Sequence, residues 1–259
     1  MPFVRAGDLN VHYIEQGAGT PIVFVHGNWV TSTTWEPVLD RLPPGYHGIA
    51  PDVRGRGKTE GPDSDYSIPS LAADLHAFVD ALGLDRFHLV GHSLGTAIAM
   101  QFALDHPERV RTLTVVAPAW VDGMPEAFNN PAGQEALKAN KALFGQALKA
   151  LVPAAPADAY WQRVVDEGHE QRLEASLRNV QACLDWKPGD RVGEAGIPTL
   201  VVDGAQDILT GGPNVDRAAA ALKARKTVVL PDIGHSPNME APDTFVALLI
   251  EHIKEFENG

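Results

Sequence analysis

One serine of the chain has the sequence context of an exposed nucleophile. Ser93 is the central residue of a G-x-S-x-G segment, residues 91–95. The segment follows a strand-like apolar run, residues 87–90, and precedes a helix-like run of small residues, 96–103. A sharp strand-to-helix turn needs glycine at both ends, because its strained backbone leaves no room for side chains beside the serine. The pattern predicts a nucleophile elbow, with an ordinary structural turn as the alternative.

Two further polar residues follow predicted strands and could activate this serine. Asp207 comes after the apolar run 199–203, and His235 comes after the run 227–230. A serine hydroxyl is a poor nucleophile at neutral pH unless an imidazole takes its proton and a carboxylate fixes the tautomer of that imidazole. The chain order Ser93, Asp207, His235 is the order expected for a G-x-S-x-G hydrolase.

A loop that could bind an oxyanion follows the apolar run 22–25. It comprises residues 26–29, in which Gly27 lets the backbone approach a ligand and leaves the next N–H groups free to point at it. The alternative is a tight strand-to-helix connection. For His26 itself we expect the second role, that of a buried structural histidine.

The elements that must position these residues alternate along the chain. Strand-like and helix-like runs alternate, which predicts a mostly parallel central sheet flanked by helices. Ligands of such sheets bind beyond the carboxyl ends of the strands, where Ser93 and residues 26–29 are expected. The predicted strands are residues 11–15, 22–25, 48–51, 87–90, 110–117, 199–203 and 227–230, and the helices are residues 35–42, 70–82, 96–105, 214–222 and 242–256.

The alternation stops between residues 119 and 195. No convincing strand lies in this stretch, and prolines separate its helix-like runs. We therefore expect a helical cap, residues 119–195, inserted between two parts of an α/β core, residues 1–118 and 196–259. The predicted cap helices are residues 134–152, 157–167 and 169–184.

Three aromatic residues are candidates for the wall of a substrate pocket. Trp29 and Trp120 each lie near the carboxyl end of a predicted core strand, and Tyr160 lies in a predicted cap helix. Packing within the protein is the alternative for all three, because apolar residues of cap helices more often contact one another than a ligand.

Composition limits the classes of partner. The net charge of -12 disfavours nucleic acid and anionic membranes, whose surfaces carry charge of the same sign. The single cysteine, Cys183, excludes an internal disulfide and a cysteine-based zinc site, and we expect it to pack in a helix. No leader or membrane-spanning run is visible, so a cytoplasmic protein is expected. We predict a small-molecule substrate, no metal and no cofactor; a homodimer is one option for the oligomeric state.

The glycines of residues 52–59 suggest a phosphate-binding loop, but the spacing does not support one. Neither G-x-x-x-x-G-K-[ST] nor G-x-G-x-x-G is present. An interaction between Asp52 and Arg54 that stabilises the turn is the preferred interpretation.

Together these segments resemble the α/β-hydrolase superfamily over almost the whole chain, with a helical cap that interrupts the core. The resemblance implies Ser93 as nucleophile, His235 as general base and then acid, and Asp207 as the carboxylate that orients His235. It also implies an oxyanion hole made by the backbone N–H groups of Leu94 and Asn28, with Trp29 as the alternative to Asn28. The matching segments are His26-Gly27, residues 52–57, residues 91–95, Gly204-x-x-Asp207, Gly234-His235, Glu240 and Pro242.

The resemblance leaves some assignments open. Asp203 and Asp232 compete with Asp207, and some members place the acid after the preceding strand, near Asp122. Thr96 stands where many relatives have a second glycine. Asn28 occupies the position of a halide-binding asparagine in dehalogenases, and here it either donates a hydrogen bond to substrate or holds its loop.

The nucleophile narrows the expected chemistry. Haloalkane dehalogenases and epoxide hydrolases of this superfamily use aspartate at the elbow, so Ser93 argues against both. The sequence favours a cofactor-free serine hydrolase that cleaves a small, largely apolar carboxylic ester or lactone through an acyl-enzyme. The alternatives are a carbon–carbon bond hydrolase or lyase, a small-molecule receptor without turnover, and a perhydrolase.

Overall fold

The computed structural model describes residues 2–257. Eight strands in this part of the chain form one sheet, in the order β1-β2-β4-β3-β5-β6-β7-β8. β2 is antiparallel to both of its neighbours, and all other pairs are parallel, which confirms the predicted sheet. The strands are β1 Phe3–Ala6, β2 Leu9–Gly17, β3 Gly19–Val25, β4 Gly45–Pro51, β5 Phe87–His92, β6 Val110–Val116, β7 Thr199–Gly204 and β8 Lys226–Leu230.

Helices cover both faces of the sheet. The central strands are apolar on both faces, as strands buried on two sides must be. One face packs against α2, α3 and α8, and the other packs against α1 and α10. These core helices are α1 Glu36–Leu39, α2 Ile68–Ala81, α3 Leu94–Asp105, α8 Pro213–Leu222, α9 Pro237–Glu240 and α10 Pro242–Glu257.

Further helices lie between β6 and β7, and we call them the cap helices: α4 Pro131–Ala139, α5 Lys141–Leu151, α6 Ala159–Glu170 and α7 Leu173–Asp185. The single helix predicted over residues 134–152 is wrong, because the chain breaks at Asn140. The backbone of Asn140 is extended, and its side chain accepts a hydrogen bond from the Leu143 N–H. An asparagine N-cap of this kind starts a new helix.

The predicted interaction between Asp52 and Arg54 is absent. Arg54 instead forms a bidentate ion pair with Asp74 of α2, at 2.6 and 2.7 Å. Asp52 accepts hydrogen bonds from the His12 ring, at 2.7 Å, and from the Ser32 backbone N–H. Both side chains are buried, so each needs partners outside the turn.

Within residues 2–257, no helix combines the length and apolar character needed to cross a membrane. In the same residues, no group of three or more histidine, cysteine, aspartate or glutamate side chains is arranged to hold a metal ion.

Candidate active site

Ser93 lies at the junction of β5 and α3 in a strained backbone conformation. Its φ and ψ angles are 53° and -121°, in a region that residues other than glycine rarely adopt. A Cβ atom on Gly91 would overlap the Gly95 carbonyl, and a Cβ atom on Gly95 would overlap the Val25 carbonyl. The two glycines therefore allow β5, the turn and α3 to pack closely enough to present Ser93 at the end of the strand.

Thr96 fits the elbow through hydrogen bonds that glycine could not make. Its hydroxyl donates to the Ser93 carbonyl at 2.6 Å and accepts from the Ala119 N–H at 2.8 Å. Thr96 is fully buried, so both bonds lie away from water. This threonine links the elbow to the segment that follows β6.

Asp207 and His235 are in direct contact. The His235 Nδ1 lies 2.8 Å from the Asp207 Oδ2. Asp207 also accepts the Thr210 hydroxyl on that oxygen, and the N–H groups of Leu209 and Thr210 on the other. Burial alone would raise the pKa of Asp207, but these hydrogen bonds and the His235 ring hold it below its usual range. A carboxylate so placed keeps the proton of neutral His235 on Nδ1, which leaves Nε2 as a base.

Neighbouring elements hold the His235 loop in place. The His235 N–H donates to the Leu151 carbonyl at the end of α5, at 2.7 Å. The His92 Nε2 lies 3.0 Å from the His235 carbonyl, and burial lowers the pKa of His92 to about 3. Neutral His92 can therefore donate this bond. The Glu240 carboxylate accepts the Gly234 N–H at 3.1 Å.

The loop of residues 26–29 contains groups that are hydrogen-bonded within the described part of the protein and a backbone N–H group that is not. His26 is buried and bonded at both ring nitrogens, to the Gly27 carbonyl and the Val53 N–H, and burial lowers its pKa. The Trp29 N–H donates to the Asn28 Oδ1. Among residues 2–257, the backbone N–H groups of Asn28 and Leu94 have no acceptor, which leaves both available to an oxyanion.

The Asn28 side chain holds its loop. Its Oδ1 accepts a hydrogen bond from the buried Arg56 guanidinium, and its Nδ2 donates to the Ser176 carbonyl of α7. Arg56 also donates to the Ser176 hydroxyl at 2.7 Å. Of the two roles considered for Asn28, these contacts support the one that links the loop to a cap helix.

A cavity of about 530 Å³ lies between the cap helices and the carboxyl ends of the strands. Ser93 and His235 both line it, as do Trp29 and Trp120. Its wall is mostly apolar, and the cap helices α4, α5 and α7 contribute part of it. Tyr160, the third candidate for this wall, does not line the cavity; it packs beside the buried cluster of Val30, Val164 and Met239.

Comparison with known proteins assigns the family. The sequence profile described as the alpha/beta hydrolase fold matches residues 20–242. The chain belongs to the α/β-hydrolase family. An eight-stranded sheet with an elbow after β5 agrees with that assignment.

Proteins similar to this α/β-hydrolase are named for different activities. The chain is 30% identical to Est816, described as an N-acyl homoserine lactone degrading enzyme, over 96% of this chain and 99% of that one, with a TM-score of 0.77. It is 28% identical to the acetyltransferase component of the acetoin cleaving system of Cupriavidus necator, over 97% of this chain and 68% of that protein. The enol-lactonase of Burkholderia xenovorans LB400 shares the fold, with a TM-score of 0.84 and 18% identity over 98% of each chain or more.

The other aspartates considered for the carboxylate beside His235 in this α/β-hydrolase are not hydrogen-bonded to that histidine within the described residues. Asp122 is exposed and pairs with Arg217 of α8, and Asp232 is exposed. Asp203 is buried beside Asp207 but has no hydrogen bond to the His235 ring within the described residues. Only Asp207, of these four, has a hydrogen bond to that ring in residues 2–257.

The sequence presents Asp203 only as an alternative to Asp207, but its carboxyl group also has an unusual pKa. Burial and the adjacent Asp207 carboxylate raise its pKa. The Gly204 backbone N–H has a smaller effect in the opposite direction. A proton on Asp203 can therefore be shared with Asp207, as expected when two buried carboxyl groups lie together.

Replacing Asp203 with asparagine should change how the stability of this α/β-hydrolase depends on pH. In the folded protein Asp203 keeps its proton at a pH where the unfolded chain has lost it, so the contribution of Asp203 to stability falls as pH rises above about 4. The Asp203→Asn variant lacks that contribution. Urea unfolding at about pH 5 and about pH 8.5 should therefore show that, relative to wild type, the variant gains unfolding free energy between the lower and the higher pH.

The exposed Asp232 supplies the matched control. The Asp232→Asn variant should keep the wild-type dependence on pH. If the unfolding free energy changed equally between the two pH values in wild type and in Asp203→Asn, the prediction would be contradicted.

Proposed function

We propose that this chain is a serine hydrolase that cleaves a small, largely apolar carboxylic ester or lactone. One observation carries the proposal: Ser93 on its strained elbow and His235, which is hydrogen-bonded to Asp207, line the same mostly apolar cavity. A nucleophile, a base and an orienting carboxylate at one cavity are the requirements of acyl transfer.

The reaction proceeds in two halves. The His235 Nε2 takes the Ser93 hydroxyl proton as the Oγ attacks the substrate carbonyl, and the N–H groups of Asn28 and Leu94 stabilise the oxyanion. The tetrahedral intermediate collapses, the alkoxide leaves with the proton from His235, and Ser93 remains acylated. His235 then deprotonates a water molecule, which attacks the acyl-enzyme. The acid is released, and the proton returns to Ser93.

The relative with 30% identity supports the lactone part of the proposal. Est816 is named for the degradation of N-acyl homoserine lactones, and the chain covers 99% of it. A lactone is a cyclic ester, so the same elbow and base can open it without a change in mechanism. The apolar wall of the cavity suits a substrate with a hydrocarbon portion.

Acid release in a pH-stat tests the proposal. Acyclic acyl esters and lactones of matched carbon number are compared, with Ser93→Ala protein as the blank. The expected result is acid release above the blank for at least one series, and the ratio of kcat/KM then gives the preference between esters and lactones. Wild-type rates equal to the blank on every substrate would overturn ester hydrolysis.

A further inference from the structure

An asparagine in the wall of the catalytic cavity has no hydrogen-bond partner. Asn179 lies on α7, has no exposed surface, and lines the cavity that Ser93 and His235 also line. Both its Nδ2 and its Oδ1 are without a partner in the described part of the chain. Buried polar groups in proteins are nearly always bonded, so an unbonded amide here needs an explanation.

Two other amides of the cavity wall are bonded within the protein. Asn28 bonds Arg56 and Ser176, and the Asn130 side chain caps α4 by accepting the Gly133 N–H. Asn179 therefore differs from these two asparagines. Burying its amide costs stability, and no hydrogen bond within the described part of the protein offsets that cost. Such an uncompensated polar group is characteristic of a ligand-binding site.

A second unpaired group belongs to the same wall. The Gln134 Oε1 has no partner in residues 2–257, and Gln134 lines the cavity from α4, which packs against α7. The two cap helices together offer one unpaired donor group and two unpaired acceptors to a molecule in the cavity.

We propose that Asn179, together with Gln134, binds a secondary amide in the substrate, so that the substrate is an acylamino ester or an acylamino lactone. The inference rests on the proposed function and names its substrate class. The Asn179 Nδ2 donates to the amide carbonyl, and the Gln134 Oε1 or the Asn179 Oδ1 accepts the amide N–H.

The wall favours an amide over other polar groups. A carboxylate is disfavoured because no lysine or arginine lines this cavity in the described residues. A ketone has no hydrogen for the unpaired acceptors, and a hydroxyl must donate and accept at a single oxygen. A secondary amide is uncharged and carries its donor N–H and its acceptor oxygen on separate atoms bonded to the same carbon.

Two esters of equal chain length test the assignment. Methyl N-hexanoylglycinate and methyl nonanoate place the same number of main-chain atoms after the scissile carbonyl, and only the first has an amide. The measured quantity is the ratio of their kcat/KM values, amide ester over nonanoate. In Asn179→Leu this ratio should fall about tenfold or more below the wild-type ratio, since a site built for a polar group discriminates strongly when that group is bonded.

Val180, the next residue of α7 and also in the cavity wall, provides the control. Val180→Ala changes the volume of the wall but not its polarity, so both esters should be affected alike and the ratio should stay within about threefold. Removing an unpaired buried amide should also raise the Tm of Asn179→Leu by about 2 °C or more. An Asn179→Leu ratio within about threefold of wild type overturns the proposal.

Binding separates this proposal from the proposed function. If wild type hydrolyses neither of these esters nor any ester or lactone of the pH-stat series, the proposed function fails. Calorimetry with Ser93→Ala protein then decides the amide site alone. The expected result is a Kd for methyl N-hexanoylglycinate about tenfold weaker after Asn179→Leu is added, with the Kd for methyl nonanoate unchanged. Equal effects on both ligands, or no effect on either, overturn the amide site.

Discussion

Ser93→Ala protein is expected to lose about 10⁴- to 10⁶-fold in kcat on the best ester or lactone substrate, with KM little changed. The variant keeps the apolar cavity and the N–H groups of Asn28 and Leu94, so it still binds substrate. It lacks the oxygen that forms the acyl-enzyme in the proposed mechanism. Initial rates in the pH-stat give kcat, and mass spectrometry should detect fluorophosphonate labelling of wild type but not of the variant.

Another serine in the same cavity is the control for this loss. Ser236 follows His235 and lines the cavity, and its hydroxyl lies 3.3 Å from the His92 Nε2. Ser236→Ala should stay within about tenfold of wild type. A Ser93→Ala variant that keeps its esterase rate, or a Ser236→Ala variant that loses it, would contradict the assigned nucleophile.

Stability distinguishes the loss of a nucleophile from the loss of the fold. Ser93→Ala retains a Cβ at a positive φ and should unfold near the wild-type Tm. Ser93→Gly removes that Cβ and relieves backbone strain, so its Tm should equal or exceed that of Ser93→Ala. Both variants should be inactive, and differential scanning calorimetry supplies the Tm values.

The core of the fold could be predicted because its strands are buried on both faces. Residues 22–25 are apolar without interruption, residues 87–90 are interrupted only by the buried His88, and each run is followed by a turn that contains glycine. β1, residues 3–6, was not predicted. It is a short edge strand with Phe3 exposed, so it lacks the continuous apolar pattern that identified the others.

The cap was less predictable because helical periodicity does not show which helix face meets a cavity. Tyr160 lies on a cap helix but packs against other cap and core residues, whereas Trp29 and Trp120 line the cavity. Asn179 gives no signal in the sequence, since a polar residue in an amphipathic helix is normally expected on the solvent side. Only its burial and its lack of partners distinguish it.

Asp207→Asn is expected to lower kcat by about 10⁴-fold with KM little changed, because the amide reverses the hydrogen bond to His235. The Leu209 and Thr210 N–H groups both point at the Oδ1, so that position must remain an acceptor. The new NH₂ group is therefore placed at Oδ2, 2.8 Å from the His235 Nδ1. A donor there moves the ring proton to Nε2, which can then no longer accept the proton of Ser93. The rate of fluorophosphonate labelling, which reports Ser93 nucleophilicity, should fall with kcat.

Asp122 provides a matched test of which aspartate orients His235. It is exposed, bonds to Arg217, and lies after the strand that some family members use for the acid. Asp122→Asn should keep kcat within about threefold of wild type, since an exposed ion pair contributes little. If Asp122→Asn lost activity and labelling while Asp207→Asn kept both, the acid would have to reach His235 through a cap rearrangement. The 2.8 Å contact between Asp207 and His235 would then be structural, because a carboxylate that fixes the catalytic tautomer cannot be replaced by an amide without loss of rate.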